Sequence, residues 1–388
     1  GDRRALVQAA DELRGLMAQL SAEPAVQGRG LLHLGELAKR QGDNEASERD
    51  QQKALEYFER AGDRQGYSDA LSALGFHAVR ARDHERATAL LTQALELKEA
   101  IADRQGTGQV LNNLGLQAFR VADYERALEL IERSLEIFRA MGSLYSVGTG
   151  LINLGLVQSQ LRRYDAADAS FQQALHILQS VGDRVAASVC LTNQGLVAIN
   201  RLDRARARHL FREARRLKLE SDSQWGMHEV LINLAWVAAW DGEFEAAERM
   251  LRTLLDREGT TPEELSVVHT MLGVLHIFNG NMEGAVLTLH RAVADAEDHD
   301  NPGLVALCRA NVAFYAAVTR QDSQFKRLAE DFSPSEPLTT VEPRAWVAWL
   351  HDMAAETERA KRRKPRRIAS LKEAVERVRK AFGLETPP

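Results

Sequence analysis

Asparagine recurs at a nearly constant spacing along this sequence. Steps of 40 residues connect the first four members of a series made up of Asn113, Asn153, Asn193, Asn233 and Asn311. A carboxamide carries both donor and acceptor groups, so one side chain can hydrogen-bond both polar groups of a peptide unit. A series of these amides could follow an extended peptide without reading its side chains. The alternative is that each amide bonds a neighbouring helix and ties the repeats together.

Charged and aromatic residues recur in the same frame. The position seven residues after that of the asparagines holds Arg40, Arg80 and Arg120 in the first repeats. Guanidinium groups suit carboxylates or phosphates because their fork of donors can bind two oxygens at once. Further along, Trp236 and Trp240 lie one helical turn apart and could form an aromatic shelf that anchors a partner. The alternative for this pair is packing between adjacent helices.

A basic tract near the carboxyl end has the densest charge in the chain. Such a tract can hold phosphate groups or an acidic partner. The alternative is a solvated turn between two terminal helices, which we favour because no aromatic residue interleaves with the basic ones to stack on bases. The residues of the tract are Lys361, Arg362, Arg363, Lys364, Arg366 and Arg367.

No arrangement of residues in the sequence is typical of catalysis. The chain has no GxxxxGK phosphate loop and no HExxH, GxSxG or CxxC motif. His269 and His276 are seven residues apart, which is not a metal-ligand spacing, and Cys190 and Cys308 fall at positions that other repeats fill with small or apolar residues. We therefore expect a protein that is not an enzyme, with no cofactor, no metal and two cysteines packed in its core.

Small residues with the same period define the elements that carry these side chains. Twelve residues after most members of the first series comes a second small residue, such as Ala127 after Gly115. A fixed period in this range is typical of solenoids, whose units bury their apolar faces only by stacking. The first series comprises Gly35, Gly75, Gly115, Gly155, Gly195, Ala235, Gly273 and Ala313.

Each repeat has the pattern of two helices. In the third repeat, apolar residues at helical spacing predict helices over 108–121 and 124–141, with Asp123 as the N-cap of the second and Gly142 as its end. Asp83 and Asp203 are predicted caps in other repeats. Thr261 followed by proline and two glutamates predicts another helix start.

The ends of the chain differ from the array. We predict a lone N-terminal capping helix within 1–24, the array over 25–332, and a linker with a helical hairpin or cap over 333–388, in which Trp346 or Trp349 packs on the last repeat. The net charge of −5 is mild. No long apolar run or signal peptide is present, so we expect a cytoplasmic protein without membrane contact. The missing initiator methionine suggests a domain of a longer protein, and the excess of arginine over lysine suggests a bacterial source.

The sequence resembles the tetratricopeptide repeat family. The resemblance rests on Leu-Asn-Asn-Leu-Gly-Leu-Gln-Ala-Phe at 111–119, Asp-Tyr-Glu-Arg-Ala at 123–127 and Ser-Leu-Glu-Ile-Phe at 134–138, and it extends over about eight repeats. The long period resembles the branch found in bacterial signal-transduction ATPases, LuxR-type regulators, pheromone receptors and kinesin light chains. It implies an all-α, right-handed superhelical solenoid with the asparagines facing a concave groove.

These observations predict a non-catalytic sensor or scaffold module of a bacterial regulatory protein, involved in signal transduction and transcription regulation, which binds an extended protein or peptide segment in its groove. One alternative is a receptor for a peptide pheromone or small ligand, whose superhelix closes on the ligand. Another is a module that contacts nucleic acid through the basic tract over 361–367. The choice of a binding module rests on the resemblance, because fold alone does not define function.

Overall fold

The computed structural model of the protein describes most of the chain and divides it into two units, Gly1–Ile177 and Leu178–Pro388. The predicted tail over 333–388, with Trp346, Trp349 and the basic tract over 361–367, lies almost entirely outside the described residues and stays a prediction. The described residues are 3–19, 23–41, 43–81, 83–221, 226–255, 261–297, 302–319, 350, 371, 373–378 and 380.

The first unit consists of helices joined by short turns. The boundary between the units falls within the last of them. The helices are α1 (Arg3–Gln19), α2 (Pro24–Gln41), α3 (Asn44–Ala61), α4 (Arg64–Arg80), α5 (His84–Ala100), α6 (Arg104–Arg120), α7 (Tyr124–Ala140), α8 (Leu144–Gln160) and α9 (Tyr164–Ser180).

The second unit continues the same pattern. Its helices are α10 (Arg184–Asn200), α11 (Arg204–Glu220), α12 (Met227–Trp240), α13 (Phe244–Leu255), α14 (Pro262–Asn279), α15 (Met282–Glu297) and α16 (Pro302–Thr319). In both units even-numbered helices pack against the odd-numbered helix that follows them, as in α6 with α7 and α14 with α15. The prediction of an all-α fold of consecutive helix-turn-helix repeats is confirmed.

Aspartate side chains begin many of the helices. In each case the carboxylate accepts a hydrogen bond from a backbone N–H in the first turn, which satisfies a donor that has no partner inside the helix. The predicted capping box at Thr261 is also present. The caps are Asp43, Asp63, Asp83, Asp103, Asp123, Asp183 and Asp203.

Helix α6 begins earlier than the sequence pattern predicts. It starts at Arg104 rather than at 108, because Asp103 accepts a hydrogen bond from the backbone N–H of Gly106 at 2.9 Å. Gly106 and Gly108 therefore lie inside the helix. Both are places of close approach, since a Cβ atom on Gly108 would lie 2.7 Å from the ring of Phe138. Packing between helices thus explains why this helix contains glycines in its first turns.

The second series of small residues lies at the centre of each helix pair. Gly115 meets its counterpart Ala127 there, because a Cβ atom on Gly115 would lie 3.3 Å from the backbone oxygen of Ala127. All members of the second series have no exposed surface, so the prediction that these positions form close contacts is confirmed. They are Ser47, Ala87, Ala127, Ala167, Ala207, Ala247 and Ala285.

Turns between helices require one residue with a left-handed backbone. Glycine holds this position at Gly62, Gly142 and Gly182, with φ of 64°, 68° and 79°. Other turns place a residue with a side chain there, such as Ala122 with φ of 61°. A Cβ atom makes this conformation unfavourable by roughly 1–2 kcal/mol, whereas glycine adopts it freely.

Ala122→Gly is therefore expected to raise the free energy of unfolding by about 0.5–1 kcal/mol, since the strain relieved exceeds the entropy that glycine loses on folding. Ala166→Gly is the control, because Ala166 is also exposed but lies inside α9. That change should lower the free energy of unfolding by a similar amount. Urea denaturation followed by circular dichroism measures both, and equal losses would contradict a left-handed backbone at Ala122.

Candidate functional site

The even-numbered helices of the first unit bring several predicted site residues together. Helices α2, α4 and α6 each contact the next even-numbered helix, in addition to their odd-numbered neighbours. On α6, Asn113 and Arg120 are seven residues apart, so they lie on the same side of the helix about 10 Å from each other. Arg80 has the same position on α4 that Arg120 has on α6.

One member of the asparagine series, Asn153, lies at a contact between even-numbered helices. Asn153 on α8 donates a hydrogen bond from its Nδ2 to the Oδ1 of Asn112 on α6, at 2.9 Å. This is the interhelical tie that we gave as the alternative to peptide binding. The tie uses one donor and one acceptor, so the Oδ1 of Asn153 and the Nδ2 of Asn112 remain for a ligand.

Asn113 is in a different situation from Asn153. Its side chain is half-buried on α6, and it makes no side-chain hydrogen bond with any residue that the structure describes. A carboxamide that is partly withdrawn from water gains most from a partner that supplies both a donor and an acceptor. Asn113 is therefore the member of the series whose hydrogen-bonding groups are best placed to meet a peptide unit.

Two of the predicted arginines are exposed on the same helices. The Nη1 of Arg80 lies 3.5 Å from the Oδ1 of Asn44, a long contact that is easily exchanged, and Arg120 is exposed at the end of α6. Arg40 belongs to α2, but its side chain lies outside the described part of the structure. We call the surface formed by Arg80, Asn112, Asn113, Arg120 and Asn153 the asparagine face.

In the second unit the predicted asparagines are largely buried, unlike Asn113. Asn193, Asn233 and Asn311 are 9%, 6% and 1% exposed. The physical reason is that the even-numbered helices of this unit are buried on all sides over long stretches, including 191–200 and 232–240. Asn311 donates a hydrogen bond to the backbone oxygen of Leu307 on its own helix. These three residues are therefore left out of the candidate site.

The predicted aromatic shelf is also part of the core. Trp236 and Trp240 are 5% and 1% exposed. The guanidinium group of Arg204 lies over the ring of Trp240, 5.8 Å from its centre, and donates a hydrogen bond to the backbone oxygen of the same residue. The alternative of packing between helices is thus the one that the structure shows, because the surfaces of both indoles are covered by protein.

The cysteines lie in the core, as predicted. Cys190 and Cys308 have no exposed surface, and burial raises the pKa of the Cys190 thiol to about 12. A thiol with this pKa stays protonated at neutral pH and is a poor nucleophile. Within the described residues no cluster of histidine, cysteine or acidic side chains has the arrangement of a metal site. In the same part of the chain, none of the helices has the length and apolar character needed to span a bilayer.

Sequence reasoning missed two polar residues in the core of the first unit. Lys98 occupies the core position that Phe58 and Phe138 hold in neighbouring repeats, and Gln117 occupies one that Val157 holds. The aligned repeats contain the signal for both. Lys98 and Lys218 share a column with Phe58, Phe138 and Leu178, and His77 and Gln117 precede valines in theirs. Neither column belongs to the series of small residues, asparagines or arginines on which the sequence predictions were based.

Comparison with known proteins identifies the class of repeat from which this fold is built. Residues 27–100 and 106–180 match the family described as tetratricopeptide repeat. These two stretches are therefore tetratricopeptide repeats, and the predicted resemblance to this family is confirmed. No curated protein sequence matches the chain.

Three solved structures share the fold. A Rap protein in complex with competence and sporulation factor has a TM-score of 0.57 at 14% identity, covering 74% of this chain and 80% of its own. The apo form of RapI has a TM-score of 0.56 at 15% identity, with coverages of 70% and 97%. The apo form of the quorum sensor NprR from B. thuringiensis has a TM-score of 0.56 at 12% identity, with coverages of 92% and 98%. At these identities the likeness concerns the fold alone.

Proposed function

We propose that this protein is a non-catalytic binding module, the sensor or scaffold region of a cytoplasmic bacterial regulator, and that its asparagine face holds an extended segment of a partner protein. The Rap structure contains a bound factor, which supports the proposal that this fold also serves recognition here.

The observation that carries the proposal is the state of Asn113. Its amide is half-buried and makes no side-chain hydrogen bond among the described residues, while the adjacent Asn112–Asn153 pair uses one donor and one acceptor for its mutual hydrogen bond. An extended peptide presents an alternating series of N–H and C=O groups, which these amides can pair with. Binding of this kind depends on the main chain and not on a particular side chain.

The arginines at the edge of the asparagine face add a preference for acidic segments. Arg80 and Arg120 are both exposed at the carboxyl ends of their helices. Exposed ion pairs contribute little to affinity, so we assign these arginines a role in selectivity and in the rate of association rather than in most of the binding energy. The preferred partner is then an extended segment that carries carboxylates near one end.

A selection from a displayed library of random peptides, with the full chain as bait, tests the proposal. The enriched peptides should carry carboxylates, and Asn113→Ala should weaken their binding by about 1 kcal/mol, the net value of one hydrogen bond. Arg80→Ala with Arg120→Ala should remove the preference for acidic peptides. Arg139→Ala, an exposed arginine on α7, is the control.

One result of these binding measurements would contradict the proposal. If the selected peptides bind the Asn113→Ala protein and the double arginine variant as tightly as the unchanged protein, the asparagine face is not the binding site. Melting temperatures of all variants should stay close to that of the unchanged protein, because these side chains contribute no buried apolar surface. A large drop for Asn113→Ala would assign it a structural role.

A further inference from the structure

A cleft of about 740 Å³ lies in the first unit between the odd-numbered helices α5 and α7, with α6 as its floor. We call it the α5–α7 cleft. Helix α6 and the turn after it contribute Leu114, Gln117, Ala118 and Val121, which are spaced at i, i+3, i+4 and i+7 and form one stripe. Asn113 precedes this stripe by one residue, so it points about 100° away around the helix. The cleft and the asparagine face are therefore separate surfaces of α6.

The floor of the cleft is aliphatic. Leu95 of α5 and Leu114 of α6 are half-buried there, Leu130 of α7 is 3% exposed, and Val121 at one end is 48% exposed. Aliphatic side chains at the bottom of a groove supply most of the binding energy when a partner covers them, because apolar surface leaves water. This part of the cleft fits the apolar side of an amphipathic segment.

Gln117 introduces a polar group into this apolar surface. The side chain is 4% exposed, and its Nε2 lies 3.0 Å from the Nδ1 of His84 and 3.3 Å from the backbone oxygen of the same residue. Its Oε1 is buried and has no hydrogen-bond partner. A buried carbonyl oxygen without a donor is unfavourable, and the next three repeats have valine at this position, at Val157, Val197 and Val237. A donor from a bound partner would satisfy it once the Gln117 side chain turns toward the cleft, because the oxygen is buried as it lies.

The charged residues that line the cleft are Arg126 and Arg133 on α7, Asp123 just before α7, and Glu85 on α5. Arg126 and Arg133 are seven residues apart on α7, so both face the cleft two turns from each other. Arg126 pairs with Glu129 at 3.0 Å and Arg133 with Glu99 at 3.9 Å, but all four side chains are more than half exposed. Exposed pairs of this kind are weak, so carboxylates of a partner can take the place of Glu129 and Glu99 beside the arginines at little cost in free energy.

We propose that the α5–α7 cleft docks an amphipathic helix of a partner protein. The aliphatic stripe of this helix lies on Leu95, Leu114 and Leu130, its acidic edge faces Arg126 and Arg133, and one polar side chain in the stripe donates a hydrogen bond to Gln117. A helix fits because two helical walls and a helical floor form a groove about three turns long, the usual setting for an amphipathic helix. The site is independent of the asparagine face.

Three labelled synthetic peptides of about 18 residues, enough for five helical turns, test the proposal with the full chain. The first has leucines at i, i+3, i+4 and i+7, glutamates along one edge and one asparagine in the middle of the leucine stripe. The second has lysine in place of every glutamate, and the third has leucine in place of the asparagine. In fluorescence anisotropy, the first peptide should saturate and bind about tenfold more tightly than the lysine peptide.

Two matched variants locate the site. Ala89 is exposed on α5 and lines the cleft, so Ala89→Trp fills it without disturbing the core, and binding of the first peptide should fall about tenfold or more. Ala169→Trp makes the same change at an exposed position of α9 and should leave binding unchanged. Asn113→Ala should also leave it unchanged, which separates this site from the asparagine face.

Gln117→Val tests the hydrogen bond itself. The unchanged protein should prefer the asparagine peptide to the all-leucine peptide, and Gln117→Val should reverse this preference while the melting temperature stays equal or rises. The proposal is overturned if the first peptide shows no saturable binding up to about 1 mM, if Ala89→Trp binds it as tightly as the unchanged protein, or if Gln117→Val leaves the preference unaltered.

Discussion

Replacing Asp103 with asparagine is expected to lower the free energy of unfolding by about 3 kcal/mol, because it leaves a buried charge without one of its two partners. The side chain of Lys98 is 3% exposed, and its Nζ donates hydrogen bonds to the carboxylates of Asp69 and Asp103. The distance from Nζ to the Oδ2 of Asp103 is 2.7 Å, and that carboxylate is 17% exposed. The measurement is urea denaturation of the full chain.

Asp123→Asn is the matched control for this change. Asp123 begins α7 as Asp103 begins α6, and each accepts a hydrogen bond from a backbone N–H in the first turn. Asparagine is as good an N-cap as aspartate, so the capping role survives in both variants. No buried lysine meets Asp123 among the described residues, and its replacement should cost less than about 0.5 kcal/mol. Equal losses from the two changes would refute the role of Lys98.

The variant Lys98→Met identifies the cause of the loss. A buried ion pair replaced by apolar groups of similar volume is often neutral or stabilising, and the neighbouring repeat already fills this position with Phe138, which is 3% exposed. Lys98→Met combined with Asp103→Asn should therefore restore most of the stability that Asp103→Asn removes. If the double variant is as unstable as the single one, the loss comes from the start of α6.

The contribution of Asp103 to the free energy of unfolding depends on pH. Burial alone would raise the pKa of the Asp103 carboxyl, but hydrogen bonds from Lys98 and the Gly106 N–H outweigh it and lower this pKa from its ordinary 3.8. The stability from Asp103 is thus present above pH 3.8 and is lost as the pH falls through the lower folded value. The difference between the unchanged protein and Asp103→Asn should shrink in strong acid.

Lys98 contributes at the other end of the pH range. Burial alone would lower the pKa of Lys98, but its hydrogen bonds with Asp103 and Asp69 outweigh this effect and raise the pKa above 10.5. Its stabilising contribution is therefore complete below pH 10.5 and is lost as the pH rises through the raised folded value. Lys98→Met should remove this alkaline component of the stability curve.

Gly195→Ala is expected to lower the free energy of unfolding by about 2 kcal/mol through overpacking in the second unit. A Cβ atom on Gly195 would lie 2.4 Å from the ring of Phe211, a buried residue of the following helix. Glycine to alanine in a helix interior is otherwise favourable by about 1 kcal/mol, so the expected loss remains after that gain is subtracted. Thermal and urea denaturation measure it.

The repeats themselves suggest the compensating change. Ala235 occupies the position of Gly195 in the next repeat, and the residue that corresponds to Phe211 there is Leu251, which is also fully buried. Gly195→Ala together with Phe211→Leu should therefore be more stable than the sum of the two single changes predicts. Additive losses would show that the methyl group and the ring do not compete for the same space.

Much of the local structure could be predicted from the sequence. The period of the small residues, the caps at Asp83, Asp123 and Asp203, the end of α7 at Gly142 and the helix start at Thr261 all appear as predicted. The caps, the helix start and the helix end depend on interactions between residues a few positions apart, or on a backbone conformation that favours one residue type. Such features can therefore be predicted from short stretches of sequence.

The tertiary structure decided which of the periodic side chains are exposed. Asn113 and Asn233 hold the same place in their repeats, yet one is half-buried on a helix with an open side and the other is 6% exposed. The partner of Asn153 is 41 residues away, and one partner of Lys98 is 29 residues away. A helix period specifies which side of a helix is apolar, but burial depends on the elements that cover each side, and those come from other repeats.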